Sequence, residues 1–231
     1  LGSPDGMPDP REIEAGLASV GETVTDLVVS RSQAWGTKAY TGTSDGHRVR
    51  VVSIGRDATD GQLLAKFGRW LWYKDSGPVL TVTNQQQIEH RAYLSLLAER
   101  RGVAVPSVVW CGRIGERRDA TLLARISDGK TFAATDHVEV TDAVLASMWS
   151  EVDKLHAAGI AHGGIWAGEF RSRTTDTVEF TDLATADADP DDEAFLVDRV
   201  ALLVTTAELT DDDRAITAAV SYTHLRAHET S

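Results

Sequence analysis

The sequence predicts an α+β chain in two lobes, and three observations carry that prediction. Apolar and polar residues alternate through much of the first half, and Asp45-Gly46, a strong hairpin turn dipeptide, sits between two such runs. A short polar breaker, Ser127-Asp128-Gly129-Lys130, interrupts the chain near its middle. Beyond it, apolar residues recur at helical spacing over 141–158 and again over 192–209.

Taken in order, residues 1–20 read as a linker and a short helix. Leu1 is not an initiator, and Leu1-Gly2-Ser3-Pro4-Asp5-Gly6 has linker composition, so a piece of a longer chain is expected. Asp9-Pro10 supplies a cap and a first turn, and Ile13, Leu17 and Val20 share one face. Residues 24–30, 38–43 and 47–54 then alternate as strands. A helical pattern comes next over 61–75, and a longer one over 84–101 whose apolar positions include Ile88, Tyr93, Leu94 and Leu97. Residues 105–113 and 121–126 make a further hairpin around Gly115. The first lobe, 21–126, is therefore expected to be a five-stranded antiparallel sheet with a packed helix.

The second lobe, 127–220, is short and mainly helical. Thr141 and Asp142 cap a helix that turns Val144, Leu145, Met148, Val152 and Leu155 inward. Residues 170–173 pair with 178–181, and the helix over 192–209 closes the lobe. Residues 221–231 (SYTHLRAHETS) resemble translated sequencing-adapter DNA. They are read as a non-native tail, so His224 and His228 receive no metal-site reading despite their spacing.

Composition narrows the function classes. The chain has 231 residues, 42% of them hydrophobic, which suits one two-lobed domain. Its net charge of -12 argues against nucleic acid or anionic lipid as partner of the whole surface, because phosphate binding needs concentrated Lys and Arg. The single cysteine, Cys111, forbids an internal disulfide and, in an apolar strand-like run, reads as an inert buried thiol in a reducing compartment. No run approaches the length of a membrane helix, and the first residues carry no signal-peptide pattern.

The chemistry-bearing segment is Leu155-His156-Ala157-Ala158-Gly159-Ile160-Ala161-His162-Gly163-Gly164, followed by Phe180-Thr181-Asp182-Leu183-Ala184. It resembles the catalytic core of the protein kinase and aminoglycoside phosphotransferase superfamily. Together with Ile54-Gly55-Arg56-Asp57, Ile88-Glu89-His90-Arg91-Ala92 and the run 198–209, it is most similar to a kinase-like cytosolic domain. That domain occurs in actinobacterial integral membrane proteins with lysylphosphatidylglycerol-synthase or flippase-like transmembrane regions. The resemblance spans about residues 2–220.

It implies a kinase-like fold that has lost its catalytic groups. Phosphoryl transfer needs a cation on the phosphates, metal ligands and a group orienting the nucleophile. The phosphate-binding Lys position holds Val52, although the helix glutamate that would pair with it is present as Glu89. The general-base position holds Gly164, where such a base typically accounts for about 10²- to 10⁴-fold in rate. The Asn position holds Glu169, and Asp182 keeps the place of the metal-binding Asp. Glu169 can serve Mg²⁺, a hard cation that accepts carboxylates, or be a solvated loop residue; Asp182 can be a ligand or a strand-end turn residue.

Arg50 lies two residues before Val52 and so shares its face, which makes it a relocated cation or, on alternation alone, part of the solvent side together with Arg48. In the loop over 30–38 only Gly36, beside Trp35, is available to cradle a phosphate. His162 matches the family's packing histidine. Asp198 matches a helix aspartate that buttresses the loop through backbone N–H groups. Arg69-Trp70-Leu71-Trp72-Tyr73-Lys74 reads either as a helix packed on the sheet or as an interfacial element.

The expected function is a pseudokinase module, needing no cofactor, that regulates or scaffolds a membrane protein of lipid or cell-envelope metabolism. The resemblance places it at the cytoplasmic face of the plasma membrane, with the parent chain's transmembrane region or another membrane protein as partner. The alternative is an atypical phosphotransferase or nucleotide sensor that binds Mg-ATP through Asp182, Glu169 and Arg50.

Overall fold

The computed structural model describes residues 9–30, 37–55, 83–133 and 140–229, with side chains to Ser221. The fold is mixed α+β. Among the described residues it comprises five α-helices, a five-stranded antiparallel sheet and a two-stranded hairpin. The chain divides into two compact units. The first holds the residues up to Ala92 and Val108–Arg125; the second holds Tyr93–Ser107 and everything from Ile126.

The first unit opens with α1 (Pro10–Ala18). Asp9 accepts from the Arg11 N–H, Glu12 returns a side-chain bond to the Asp9 N–H, and Pro10 fills the first turn, where a missing N–H costs nothing. The sheet is built from β1 (Thr25–Val29), β2 (Thr37–Ser44), β3 (His47–Ile54), β4 (Ser107–Ile114) and β5 (Asp119–Arg125), in the spatial order β1-β2-β3-β5-β4. Asp45 and Gly46 both take positive φ, 49° and 74°, the geometry that lets a two-residue turn match the twist of β2 and β3. Edge strand β1 is bulged between Thr25 and Val28, and Glu14 of α1 accepts from the Leu27 N–H within that bulge.

Both faces of the sheet are covered. Ile13 and Leu17 of α1 pack with Tyr40, Val49, Val51 and Leu123 on one face. Ile88 and Ala92, from the first half of α2 (Asn84–Arg100), pack with Ala39, Val52, Ile54 and Leu122 on the other. Double coverage corrects the reading of Arg50. Alternation predicts a solvent side for β3, but that side carries the helix, and Arg50 is buried at 8% exposure.

In the second unit the last turns of α2 end at Gly102, φ 80°, with the Val103 N–H reaching back to the Ala98 carbonyl. Residues 103–106 form no regular element, yet their backbone is well held. The Ala104 N–H donates to Glu151 Oε2 at 2.7 Å, and its carbonyl accepts from the Phe180 N–H at 2.8 Å. Helix α3 (Asp142–Ala157) is capped by Thr141 Oγ1, which accepts from the Val144 N–H, and its Leu145, Met148, Val152 and Leu155 are buried. The hairpin of β6 (Phe170–Ser172) and β7 (Val178–Phe180) adds Phe170 and Phe180 to the same core. Helix α4 (Asp192–Leu209) and helix α5 (Asp212–Glu229) complete the unit.

Helix α5 has no counterpart among the elements expected from the sequence. It begins where Asp211 Oδ1 accepts from the Arg214 N–H, buries Ala215, and runs past Ser221. Arg214 also donates to Asp142 Oδ1 and to the Val140 carbonyl, tying the start of α5 to the start of α3. The polar segment 127–130 is bound to the β6–β7 hairpin. The Ser127 N–H donates to Glu179 Oε1, Arg171 Nη1 to the Gly129 carbonyl, and the Ser172 N–H to the Lys130 carbonyl. The helix expected over 61–75, the aromatic run 69–74 and the Gly36 loop lie outside the described residues.

Candidate functional site

The candidate site is the loop after α3. Gly159, φ 77°, ends the helix, and the Ile160 N–H returns to the Leu155 carbonyl while the Ile160 side chain enters the core. An isolated bridge between Ala161 and Asp187 then fixes the strand-like entry to the loop. This is the physical content of the Leu155–Ile160 motif: a glycine stop, a buried anchor and a redirected chain.

Asp198 of α4 holds the loop backbone at His162 and Gly163. Its carboxylate is fully buried, with Oδ2 accepting from the His162 N–H at 2.6 Å and Oδ1 from the Gly163 N–H at 2.9 Å. His156 Nε2 also donates to Oδ2, at 3.1 Å. Three donors on one carboxylate make a buried charge tolerable and lock the loop to the helix. His162 Nε2 meets the Asp182 carbonyl at 3.2 Å, so Nε2 carries the proton, and its ring stacks on Phe180 at 5.2 Å. Thr185 Oγ1 closes the arrangement by donating to the His162 carbonyl at 2.8 Å. His162 is thus packed on the hairpin, and Asp198 braces the loop backbone.

Gly163 takes φ 74°, and a Cβ there would lie 2.6 Å from the Thr185 carbonyl oxygen. Gly164 is exposed, and a Cβ on it would meet Thr185 Oγ1 at 3.2 Å. At residue 164 the loop therefore presents backbone alone.

Glu169 and Asp182 lie just outside the two arms of the hairpin, at its open end. The Thr181 N–H donates to the Glu169 carbonyl at 2.8 Å, which sets Asp182 one residue from the partner of Glu169. The Glu169 side chain is half-buried rather than a solvated loop carboxylate. Oε1 accepts from Trp166 Nε1 at 2.9 Å and Oε2 from Thr181 Oγ1 at 3.1 Å. The Trp166 ring lies against Gly168, where a Cβ would fall 2.3 Å from it. Asp182 is buried at 8% exposure. Among the described residues, no group of three or more His, Cys, Asp or Glu side chains is placed to hold a metal ion.

The other candidate residues belong to the first unit. Val52 is buried on the α2 face of the sheet, and Arg50 is buried two positions before it on β3. Glu89 is exposed on α2 and accepts from Gln85 one turn earlier. Half-buried Cys111 feels it: burial first, and then the Glu89 carboxylate, pushes the thiol above its ordinary pKa. His156 and Thr185 carry no role that the sequence alone reveals. His156 precedes the glycine stop by three residues, but nothing local marks a bond to a carboxylate 42 residues away.

No family model matches the chain, and no curated protein sequence matches it.

Proposed function

We propose that the chain is a catalytically degenerate kinase-like module, two-lobed in architecture, that regulates or scaffolds a partner rather than transferring phosphate. The observation that carries this reading is the Asp198 arrangement. A buried carboxylate braces the loop backbone at His162 and Gly163, and the next position, where a proton acceptor would work, is Gly164. A loop held this firmly is built to present a side chain, and here there is none to present. Two further features support the kinase-like reading: a five-stranded antiparallel sheet in one unit, and a helical second unit with the β6–β7 hairpin.

The resemblance in the sequence extends the proposal to a membrane protein of lipid or cell-envelope metabolism as the regulated partner. No helix among the described residues is long and apolar enough to cross a membrane.

A second reading, nucleotide sensing without transfer, is favoured by the placing of two carboxylates, Glu169 and Asp182, on the two sides of the open end of one hairpin. Two measurements separate the readings: phosphate release from Mg-ATP, and the shift in Tm caused by Mg-ATP, which scales as RT ln(1 + [L]/Kd). The scaffold reading expects neither turnover nor shift. The sensing reading expects a shift that disappears in Asp182→Ala. Turnover that disappears in Asp182→Ala overturns both and makes the chain an atypical phosphotransferase.

A further inference from the structure

Helix α4 packs one side inward and carries an apolar stripe on the other. Its inward side carries Leu202, Thr205, Thr206 and the loop-bracing Asp198. On the opposite side Leu196, Val197, Val200 and Val204 are 60%, 53%, 54% and 53% exposed. At 3.6 residues per turn these four fall within an arc of about 100°, the width of a face that packs against another element. Scattered exposed aliphatics need no explanation, but an unbroken stripe along one helix does.

Charge says what can cover it. Glu193 and Glu208, both exposed, lie on the same side and close the stripe at its two ends, roughly 22 Å apart at 1.5 Å per residue. Asp192 adds to one end, and Asp211, Asp212 and Asp213 come just after the other. Arg199, on the flank, is paired with Asp153 at 3.6 Å. A second copy of the chain fits poorly. Antiparallel pairing sets Glu193 against Glu208, parallel pairing sets each against itself, and like charges oppose both arrangements. Anionic lipid is repelled for the same reason.

We propose that this face docks an amphipathic helix of another protein, with apolar residues at i, i+4 and i+8 and Lys or Arg flanking them about four turns apart. A groove of about 340 Å³ lined by His156, Asp192, Phe195, Leu196 and Arg199 adjoins the Leu196 end of the stripe and accepts one anchoring side chain. The inference rests on this face alone and is independent of the kinase-like reading.

The test uses the full chain and two fluorescent helical peptides with the same leucine face, one ended by lysines and the other by glutamates, read by anisotropy. The lysine-ended peptide should bind at least tenfold more tightly, Val200→Asp and Val204→Asp should each weaken it at least tenfold, and the pair Glu193→Lys with Glu208→Lys should reverse the preference. All four positions are exposed, and circular dichroism reports whether each variant folds. Failure of the lysine-ended peptide to bind, or equal binding of both peptides, overturns the proposal. So does a concentration-dependent dimer abolished by Val200→Asp, or tighter partition into phosphatidylcholine vesicles than onto the peptide.

Discussion

Asp198 grips the backbone of His162 from a helix 36 residues further along the chain, at 2.6 Å. The same carboxylate accepts from Gly163 and His156, so both oxygens are committed. Asp198→Ala leaves two buried donors, the His162 N–H and His156 Nε2, and the partly buried Gly163 N–H without an acceptor, and is expected to cost about 3 to 5 kcal/mol in denaturant unfolding. Asp198→Asn should cost nearly as much, because its amide turns a donor toward an N–H that already donates.

The two glycines after His162 are expected to behave differently. At Gly163 the left-handed backbone and the Thr185 carbonyl 2.6 Å from an added Cβ both oppose a side chain, so Gly163→Ala should lose about 1 to 3 kcal/mol. At Gly164 only the Thr185 hydroxyl must move, by tenths of an ångström, so Gly164→Ala should stay within about 1 kcal/mol of the parent. Thermal unfolding of both variants checks the contrast.

Tyr40 gives the first unit an alkaline limit. Burial pushes its phenol up to about 12, with Asp119, Asp9 and Glu12 adding to the effect. The unfolded chain releases that proton near the ordinary value of 10.0, while the folded chain keeps it. The stability due to neutral Tyr40 is whole below about pH 10 and is lost as pH rises toward about 12, on the order of 2 kcal/mol in all. Urea midpoints measured across that window should fall in the parent and fall less in Tyr40→Phe.

Cys111 should be a slow nucleophile. Its raised pKa, set by burial and then by Glu89, keeps the thiolate fraction low at pH 8. Alkylation by iodoacetamide should therefore lag behind that of a free cysteine. Glu89→Gln should speed it roughly twofold, while a variant on an unrelated helix face should not.

Much of this architecture is legible in the sequence because local chemistry dictates it. Asp45-Gly46 names its own turn, Asp9-Pro10 with Glu12 names a helix start, and Thr141 caps α3. The segment 155–160 is legible for the same reason, a glycine stop followed by a buried isoleucine. The features that escape depend on contacts between distant residues. Arg50 resembles a solvent position because alternation reports that side chains change faces, and says nothing of a helix covering the second face. Glu169 resembles a loop carboxylate because nothing local marks Thr181, 12 residues further on, as a partner to join Trp166 of its own turn. Helix α5 is hard to see because it comes after a run of aspartates and extends into residues that resemble a non-native tail. The Asp211 cap and buried Ala215 are its signals.

Residues 103–106 bear on how the second unit opens. The Ala104 amide is sealed under Glu151, and its carbonyl is bonded to Phe180 at the end of β7, although no strand or helix claims residue 104. The Ala104 amide proton should thus exchange with deuterium at the pace of the whole unit's unfolding, alongside those of α3, and not with the fast amides of ordinary loops. Irregular backbone, in this chain, is a cooperative part of the folded core.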